Sequence, residues 1–590
     1  MTAAVMTAPA RVATGPREDA PGPTPKPVPE KLPPREPVTP AKLRTTLKRV
    51  FGLRSLRPGQ AEVIARVLQG ENTLAVMPTG AGKSLCYQLP AVLSDALTVV
   101  ISPLIALMKD QCDALNALGV PAVALNSALD ANRRLANEAL LQRGAVRVVF
   151  TTPERLADAR TLGLLQEQRV GLLVVDEAHC IAQWGHDFRP AFSALRDARR
   201  ALGRPPVLAL TATAPGPVQR EIRDALDIPR DGVLCHGVYR DNLRLAVELP
   251  QTEAARRELI VQHLQTLEGG SAIVYCATVR EATALQRQLV EAGIAAGLYH
   301  GKLHKAEREA AQEAFMRDQT RVMVATNAFG MGIDKPDIRL VLHAQMPASI
   351  EAYVQECGRA GRDGEPADCV LLFREGDRAL QQFFTGGSVP SREELGTVWR
   401  ALVSHTPQGG WLPATLAEMA RLPQRRLDQV LAALRTVRAV RGSEAAGLRP
   451  STKREPEAVI DAAATAVQQR QQSERDSLAA MVLYAKAGGC RWASVLAHFG
   501  ESLDGGATRC GHCDSCARFD ALLKAEQAAE DASDMQPTAQ RAYEPGQRVR
   551  VRRFGWGEVQ DCSAESVSIR FASHGLRQIH PDFVLAAAKT

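Results

Sequence analysis

Thr73-Leu74-Ala75-Val76-Met77-Pro78-Thr79-Gly80-Ala81-Gly82-Lys83-Ser84 is an apolar run that opens into a glycine-rich loop, with helical sequence after it. A loop of this kind between a strand and a helix aims backbone N–H groups at a phosphate chain, and the helix N-terminus adds its dipole. Thr79, Gly80, Ala81 and Gly82 then form the cradle, Lys83 neutralises the β/γ-phosphates, and the Ser84 hydroxyl binds Mg²⁺. Met77 stands where the strict pattern has its first glycine, and the shortened form keeps the cradle. A second apolar strand, Leu172–Val175, runs into Asp176-Glu177-Ala178-His179. A carboxylate at the C-terminal end of a buried strand is where an α/β sheet holds a metal. Asp176 is expected to hold Mg²⁺ through water, and Glu177 to polarise an attacking water as general base.

Around these two strands the chain alternates between strand-like and helical segments. Leu97–Ser102, Val146–Thr151 and Val207–Leu210 are the further apolar runs of the first half. Ala272–Cys276, Ala296–Tyr299, Val322–Ala325, Leu340–His343 and Cys369–Phe373 repeat the rhythm. Such βα alternation predicts parallel sheets covered by helices on both faces, here as two lobes, 41–236 and 237–376, meeting near 236–250. Residues 1–40 are rich in proline among small and charged residues and are expected to be a disordered tail. Beyond 376 the composition becomes helical over 391–449, with a linker expected at 450–466 and a long polar helix at 467–488. Residues 521–542 are expected to be another linker. From Tyr543, short alternating strands punctuated by glycine predict a small β-barrel over 543–590.

The net charge of +7 is compatible with a polyanionic partner and does not by itself point to one. No apolar run reaches the length of a membrane helix, and the N-terminus lacks a secretory pattern. The twelve cysteines are mostly scattered, which suits a reducing compartment. Four of them, Cys490, Cys510, Cys513 and Cys516, are spaced C-x₁₉-C-x₂-C-x₂-C within a module expected at 467–520. Four thiolates at that spacing suit tetrahedral Zn²⁺, and an iron–sulfur cluster is the other occupant they would accept. His512 lies between two of them as a bystander, since four cysteines already close the site.

With these motifs the chain resembles a superfamily 2 helicase, and more narrowly the RecQ family, from Phe51 to about Phe373. Phe51-Gly52-Leu53-Arg54-Ser55-Leu56-Arg57-Pro58-Gly59-Gln60 resembles the motif before the phosphate loop; by that resemblance Arg57 stacks on adenine and Gln60 bonds its edge. Leu53 departs from the aromatic residue of the family pattern. Ser102–Gln111 and Thr151–Leu156 resemble strand-tracking motifs, and Thr211-Ala212-Thr213 the motif linking ATP state to lobe closure. Ile181-Ala182-Gln183-Trp184-Gly185-His186-Asp187-Phe188-Arg189-Pro190 resembles the aromatic-rich loop that couples DNA to hydrolysis, with Trp184 and Phe188 placed to stack bases, and His186 and Arg189 as cationisable groups of which Arg189 can meet phosphate. In the second lobe Tyr299–Leu303, Ala325–Pro336 and Gln355–Gly364 match the family. The resemblance makes Arg362 the arginine finger, Arg359 its helper and Gln355 a further catalytic residue.

The same resemblance implies an ATP- and Mg²⁺-dependent DNA helicase moving 3′→5′ in recombination and repair, with structural zinc. It acts on single-stranded and duplex DNA beside single-strand-binding and other repair proteins, as a monomer in the bacterial cytoplasm at the nucleoid. An RNA helicase, which shares the Asp-Glu-Ala-His sequence, and a DNA-binding remodeller or translocase are the alternative readings. The zinc module usually follows the motor directly, whereas about 115 residues intervene here. Within them Thr415–Arg421 and Pro423–Arg438, with Gln424, Arg425, Arg426 and Arg435, resemble a winged-helix DNA reader; a plain helical spacer is the other reading. The terminal segment, with Arg548, Arg550, Arg552 and Arg553 beside Phe554-Gly555-Trp556-Gly557, resembles SH3- or Tudor-like barrels that bind protein or nucleic acid.

Overall fold

The computed structural model describes residues 38–182, 192, 195–330, 333–386, 389–404, 406–442, 447–452, 454–534, 543–563 and 565–586. They fall into two compact units, residues 1–516 and 517–590.

The first unit holds two parallel sheets. In the first lobe these are β1 (Thr73–Val76), β2 (Leu97–Ile101), β3 (Ala122–Leu125), β4 (Val148–Thr151), β5 (Val170–Val175), β6 (Val207–Thr211) and β7 (Val233–Cys235). They lie in the order β3-β4-β2-β5-β6-β1-β7. The second lobe contains β8 (Leu243–Glu248), β9 (Ser271–Tyr275), β10 (Ala296–Tyr299), β11 (Val322–Ala325), β12 (Ile338–His343) and β13 (Ala367–Leu372), in the order β10-β11-β9-β12-β13-β8. Every residue of β1, β2, β4, β5 and β6 is buried, because helices cover both faces. That double burial is why these strands read as unbroken apolar runs. The connection between lobes is therefore 236–242, inside the junction read from sequence.

The helical stretch after the second lobe is built from helices Arg392–Ser404, Pro413–Ala420 and Gln424–Thr436, closed by an antiparallel pair, β14 (Val440–Arg441) with β15 (Arg449–Pro450). An isolated bridge joins Trp411 to Leu448. The expected linker at 450–466 is a correction: Pro456–Lys486 is one helix of 31 residues. Proline at its first position and an alanine-rich first half favour the helix. Val459, Ile460 and Ala463 close the core under the three preceding helices, while Leu478, Met481, Tyr484 and Ala485 enter the core beneath the second lobe. One rigid rod of about 46 Å thus serves two cores.

The second unit contains an antiparallel sheet of β16 (Arg548–Val551), β17 (Gly555–Cys562), β18 (Val567–Phe571), β19 (Gly575–Ile579) and β20 (Val584–Ala586), in the order β19-β18-β17-β16-β20. Strict alternation along β16 puts Val549 and Val551 inside and Arg548 and Arg550 outside. β20 pairs antiparallel with β16 at one edge of the meander, and the sheet is consistent with a small barrel-like domain.

Candidate active site

The phosphate loop joins β1 to the helix Leu85–Leu93, with Ser84 at the helix N-cap. Gly80 and Gly82 have φ of 85° and 75°, conformations that side-chain-bearing residues rarely adopt. At Gly82 a Cβ would also fall 2.6 Å from Gln60 Nε2. Lys83 Nζ donates to the Met77 and Pro78 carbonyls at 3.2 and 3.3 Å. Burial lowers its pKa against the pull of Glu177 and Asp176. Gln60 is buried, with Nε2 donating to Ala81 and Gly82 carbonyls at 3.0 and 2.9 Å and Oε1 accepting from Arg57 N–H at 2.8 Å. The exposed Arg57 guanidinium donates to the Gly80 carbonyl. Both residues expected at the adenine thus brace the loop, and Leu53 stands exposed nearby in sequence.

Asp176 follows the last residue of β5. Burial, then the like charge of Glu177, push its pKa up to about 7, and Ser102 Oγ donates to it at 3.4 Å. A carboxylate that holds its proton because of burial and a like-charged neighbour, with Lys83 as its partial counter-charge, suits a divalent cation. Glu177 is held at φ 50°, a strained position for a non-glycine residue. Its Oε2 is buried without a hydrogen bond, 3.3 Å from His179 Nδ1. His179 Nδ1 lies 3.0 Å from Thr211 Oγ1, and that hydroxyl gives its own hydrogen to the Thr213 carbonyl at 3.0 Å. The carboxylate pair is therefore wired to Thr211-Ala212-Thr213 at the end of β6.

The second lobe faces this loop. Arg362 Cγ lies 3.5 Å from where a Gly80 Cβ would be, and a Gly358 Cβ would meet Thr79 Cβ at 2.8 Å. Arg362 donates to Asp334 at 2.6 Å, while its buried Nε has no partner. Burial lowers its pKa despite Asp334. Arg359 points elsewhere: it is buried and donates to the Gly330 carbonyl inside the second lobe. Gln355 is half-buried on the helix Ile350–Cys357. The aromatic-loop residues Trp184, His186, Phe188 and Arg189 lie outside the described residues. Sequence reasoning missed Arg240 and Asn242 in the connection between lobes. Arg240 donates to the Thr79 carbonyl of one lobe and the Gly358 carbonyl of the other, at 3.3 and 3.4 Å. A short polar run between two strands carries no signal of such a bridge.

In the cysteine cluster the four Sγ atoms lie within 4.8 Å of one another, with Cys510 and Cys516 at 3.9 Å. Tetrahedral Zn–S bonds require sulfurs about 3.8 Å apart, so the cluster fits zinc. Backbone N–H groups of Cys510 and Arg491 point at Cys490 and Cys513 sulfurs at 3.2 and 3.4 Å, which favours thiolates. His512 Nδ1 is instead 3.0 Å from the Cys510 carbonyl.

Family models match in the same places: DEAD/DEAH box helicase over residues 57–222, Helicase conserved C-terminal domain over 255–364, and RecQ zinc-binding over 454–517. The ATP-dependent DNA helicase RecQ of Synechocystis sp. is 34% identical over 80% of this chain and 98% of its own length. The chain belongs to the RecQ family. The probable ATP-dependent DNA helicase RecS of Bacillus subtilis is 41% identical over 61% of this chain and 73% of its own. The RecQ helicase of Bacillus subtilis is 43% identical, but the chain spans only 57% of that relative. RecQ membership accounts for the use of ATP with Mg²⁺ and for zinc at the cysteine cluster. The long helix Pro456–Lys486 and the cysteine cluster together form the zinc-binding region of the family. Among the described residues no helix is long and apolar enough to cross a membrane.

Proposed function

We propose that this chain is an ATP-dependent DNA helicase that moves 3′→5′ along single-stranded DNA and opens duplexes. The observation that carries the reading is Arg362 of one lobe, whose aliphatic stem sits against the phosphate loop of the other and whose buried Nε has no partner. A donor left unsatisfied there suits the charge that grows on a γ-phosphoryl group in flight. ATP and Mg²⁺ would be held by Lys83, Ser84 and Asp176, and the metal supplies charge neutralisation on the phosphates. Glu177 orients and deprotonates the attacking water, and Arg362 meets the developing charge. Arg359 supports the finger from within its own lobe. The link from Glu177 through His179 to Thr211 and Thr213 offers a path from hydrolysis to the segment read as coupling ATP state to lobe closure.

The helical stretch 391–450 supports duplex contact as a winged helix, since a helix-turn-helix is followed by a two-stranded β14–β15 pair. Of its candidate readers, Arg425 is exposed, whereas Arg426 is committed to Glu394 by two bonds of 2.6 and 2.7 Å and holds that carboxyl down at about 2. DNA is the substrate named for the relatives. The test is strand separation of DNA duplexes carrying a 3′ or a 5′ overhang, beside the equivalent RNA duplexes. Opening of only the 3′-tailed DNA is expected; opening of RNA, or of the 5′-tailed DNA alone, would contradict the reading.

A further inference from the structure

We propose that Arg240 is a positioning residue through which the zinc module, by gripping the connection between lobes, sets Arg362 on the phosphate loop. The proposal rests on the nucleotide site described above.

Arg240 uses its whole guanidinium fork. Nη1 donates to the Thr79 and Gly358 carbonyls at 3.3 and 3.4 Å, Nη2 to the Gly361 carbonyl, and Nε and Nη2 to Asn242 Oδ1 at 3.3 and 3.1 Å. Asn242 Nδ2 then donates to the Gly361 and Glu365 carbonyls at 2.9 and 2.8 Å. The backbone on both sides of the finger Arg362 is thus tied to the connection between lobes, and the same guanidinium reaches the phosphate loop. A planar fork can span carbonyls on two bodies at once; an ammonium acts as a point charge.

The zinc module fixes the chain on either side of Arg240. Glu501 accepts from the Val238 N–H at 3.0 Å, and Trp492 Nε1 donates to the Leu243 carbonyl at 3.0 Å. Tyr239 packs edge-on against Trp492 with centroids 5.1 Å apart. Asp514 accepts from the Val247 N–H at 3.2 Å and pairs with the buried Arg491 at 2.9 Å. Arg491 follows Cys490 directly, and Asp514 follows Cys513. Contacts therefore run from the zinc module to the connection at Val238 and to β8 at Leu243 and Val247, holding the chain on either side of Arg240, and through Arg240 on to the finger.

The test compares full-length wild type with Arg240→Ala, Arg240→Lys and Trp492→Phe, the last keeping the aromatic packing while removing the bond to Leu243. Read out are kcat and KM for DNA-stimulated ATP hydrolysis, the Kd of a fluorescent ADP analogue, and the melting temperature. A misplaced finger costs transition-state stabilisation and leaves diphosphate binding intact. Arg240→Ala is expected to lower kcat by about tenfold or more, with Kd for the ADP analogue within about threefold of wild type. Arg240→Lys should recover part of the loss, and Trp492→Phe should lower kcat by roughly threefold. A wild-type kcat in Arg240→Ala would overturn the proposal, as would a loss of ADP-analogue affinity equal to the loss of turnover. A wild type without turnover would instead overturn the nucleotide-site reading itself.

Discussion

At the scale of single residues, two carboxylates side by side in a buried site set the pH response of the nucleotide site. Asp176 titrates near 7 in the fold and near 3.9 in an unfolded chain. Between those values the native protein binds the extra proton, so the metal-free fold loses stability as pH rises from about 4 to about 7. A metal must displace that proton, and Mg²⁺ affinity should therefore climb with pH up to 7 and level off above it. Titrating Mg²⁺ against binding of a fluorescent ATP analogue at pH 6 and pH 8 should show roughly tenfold tighter metal binding at pH 8. Equal affinities would mean Asp176 is already ionised. The places of Lys83, Asp176 and Glu177 beyond the ends of β1 and β5 were legible in sequence, because a buried strand and the loop after it have a fixed spacing. Gln60 and Arg57 were legible as motif members, but their present partners, the carbonyls of the loop itself, were not. The partners of a side chain depend on what fills the site, which no spacing encodes.

At the scale of elements, the central parallel strands announced themselves, while of the edge strands only β10 did. β5 is six consecutive buried residues. β8 was missed because it lies at a sheet edge and charge interrupts its apolar run, with Arg244 turned out to pair with Asp368 at 2.6 Å. β7 has only three residues. The helix Pro456–Lys486 was misread over its first half, because alanine and glutamine next to charged residues resemble a linker until the packing partners of Val459 and Ile460 are known. Ile460→Ala removes a fully packed side chain and should cost about 2–4 kcal/mol in chemical denaturation, a loss a linker residue would not produce. A change below about 0.5 kcal/mol would restore the linker reading. Arg426, read from sequence as a candidate duplex contact, is paired with Glu394, a partner that no local spacing reveals.

On the scale of the whole first unit, the zinc module and the second lobe share one core. Cys490, Cys513 and Cys516 are buried with Trp492, Val495 and Phe499 against Leu243, Leu245 and Val247 of β8. Metal binding energy is then folding energy for the lobe that carries Arg362. Cys513→Ser, or removal of zinc by a chelator, should lower the melting temperature and depress ATP turnover even without DNA; turnover unchanged in the absence of DNA would confine the module to DNA binding. Sequence disclosed the four thiols and both lobes, yet not that the module backs the second sheet, since contacts more than 240 residues apart leave no local pattern. On the function proposed above, the active site is completed only when Arg362 of one lobe meets the phosphate loop of the other. The most direct measurement is DNA-stimulated ATP hydrolysis by Arg362→Ala beside binding of a non-hydrolysable ATP analogue. A fall in kcat of about 10³-fold is expected, with analogue affinity within a few-fold of wild type. Wild-type turnover in that variant would contradict it.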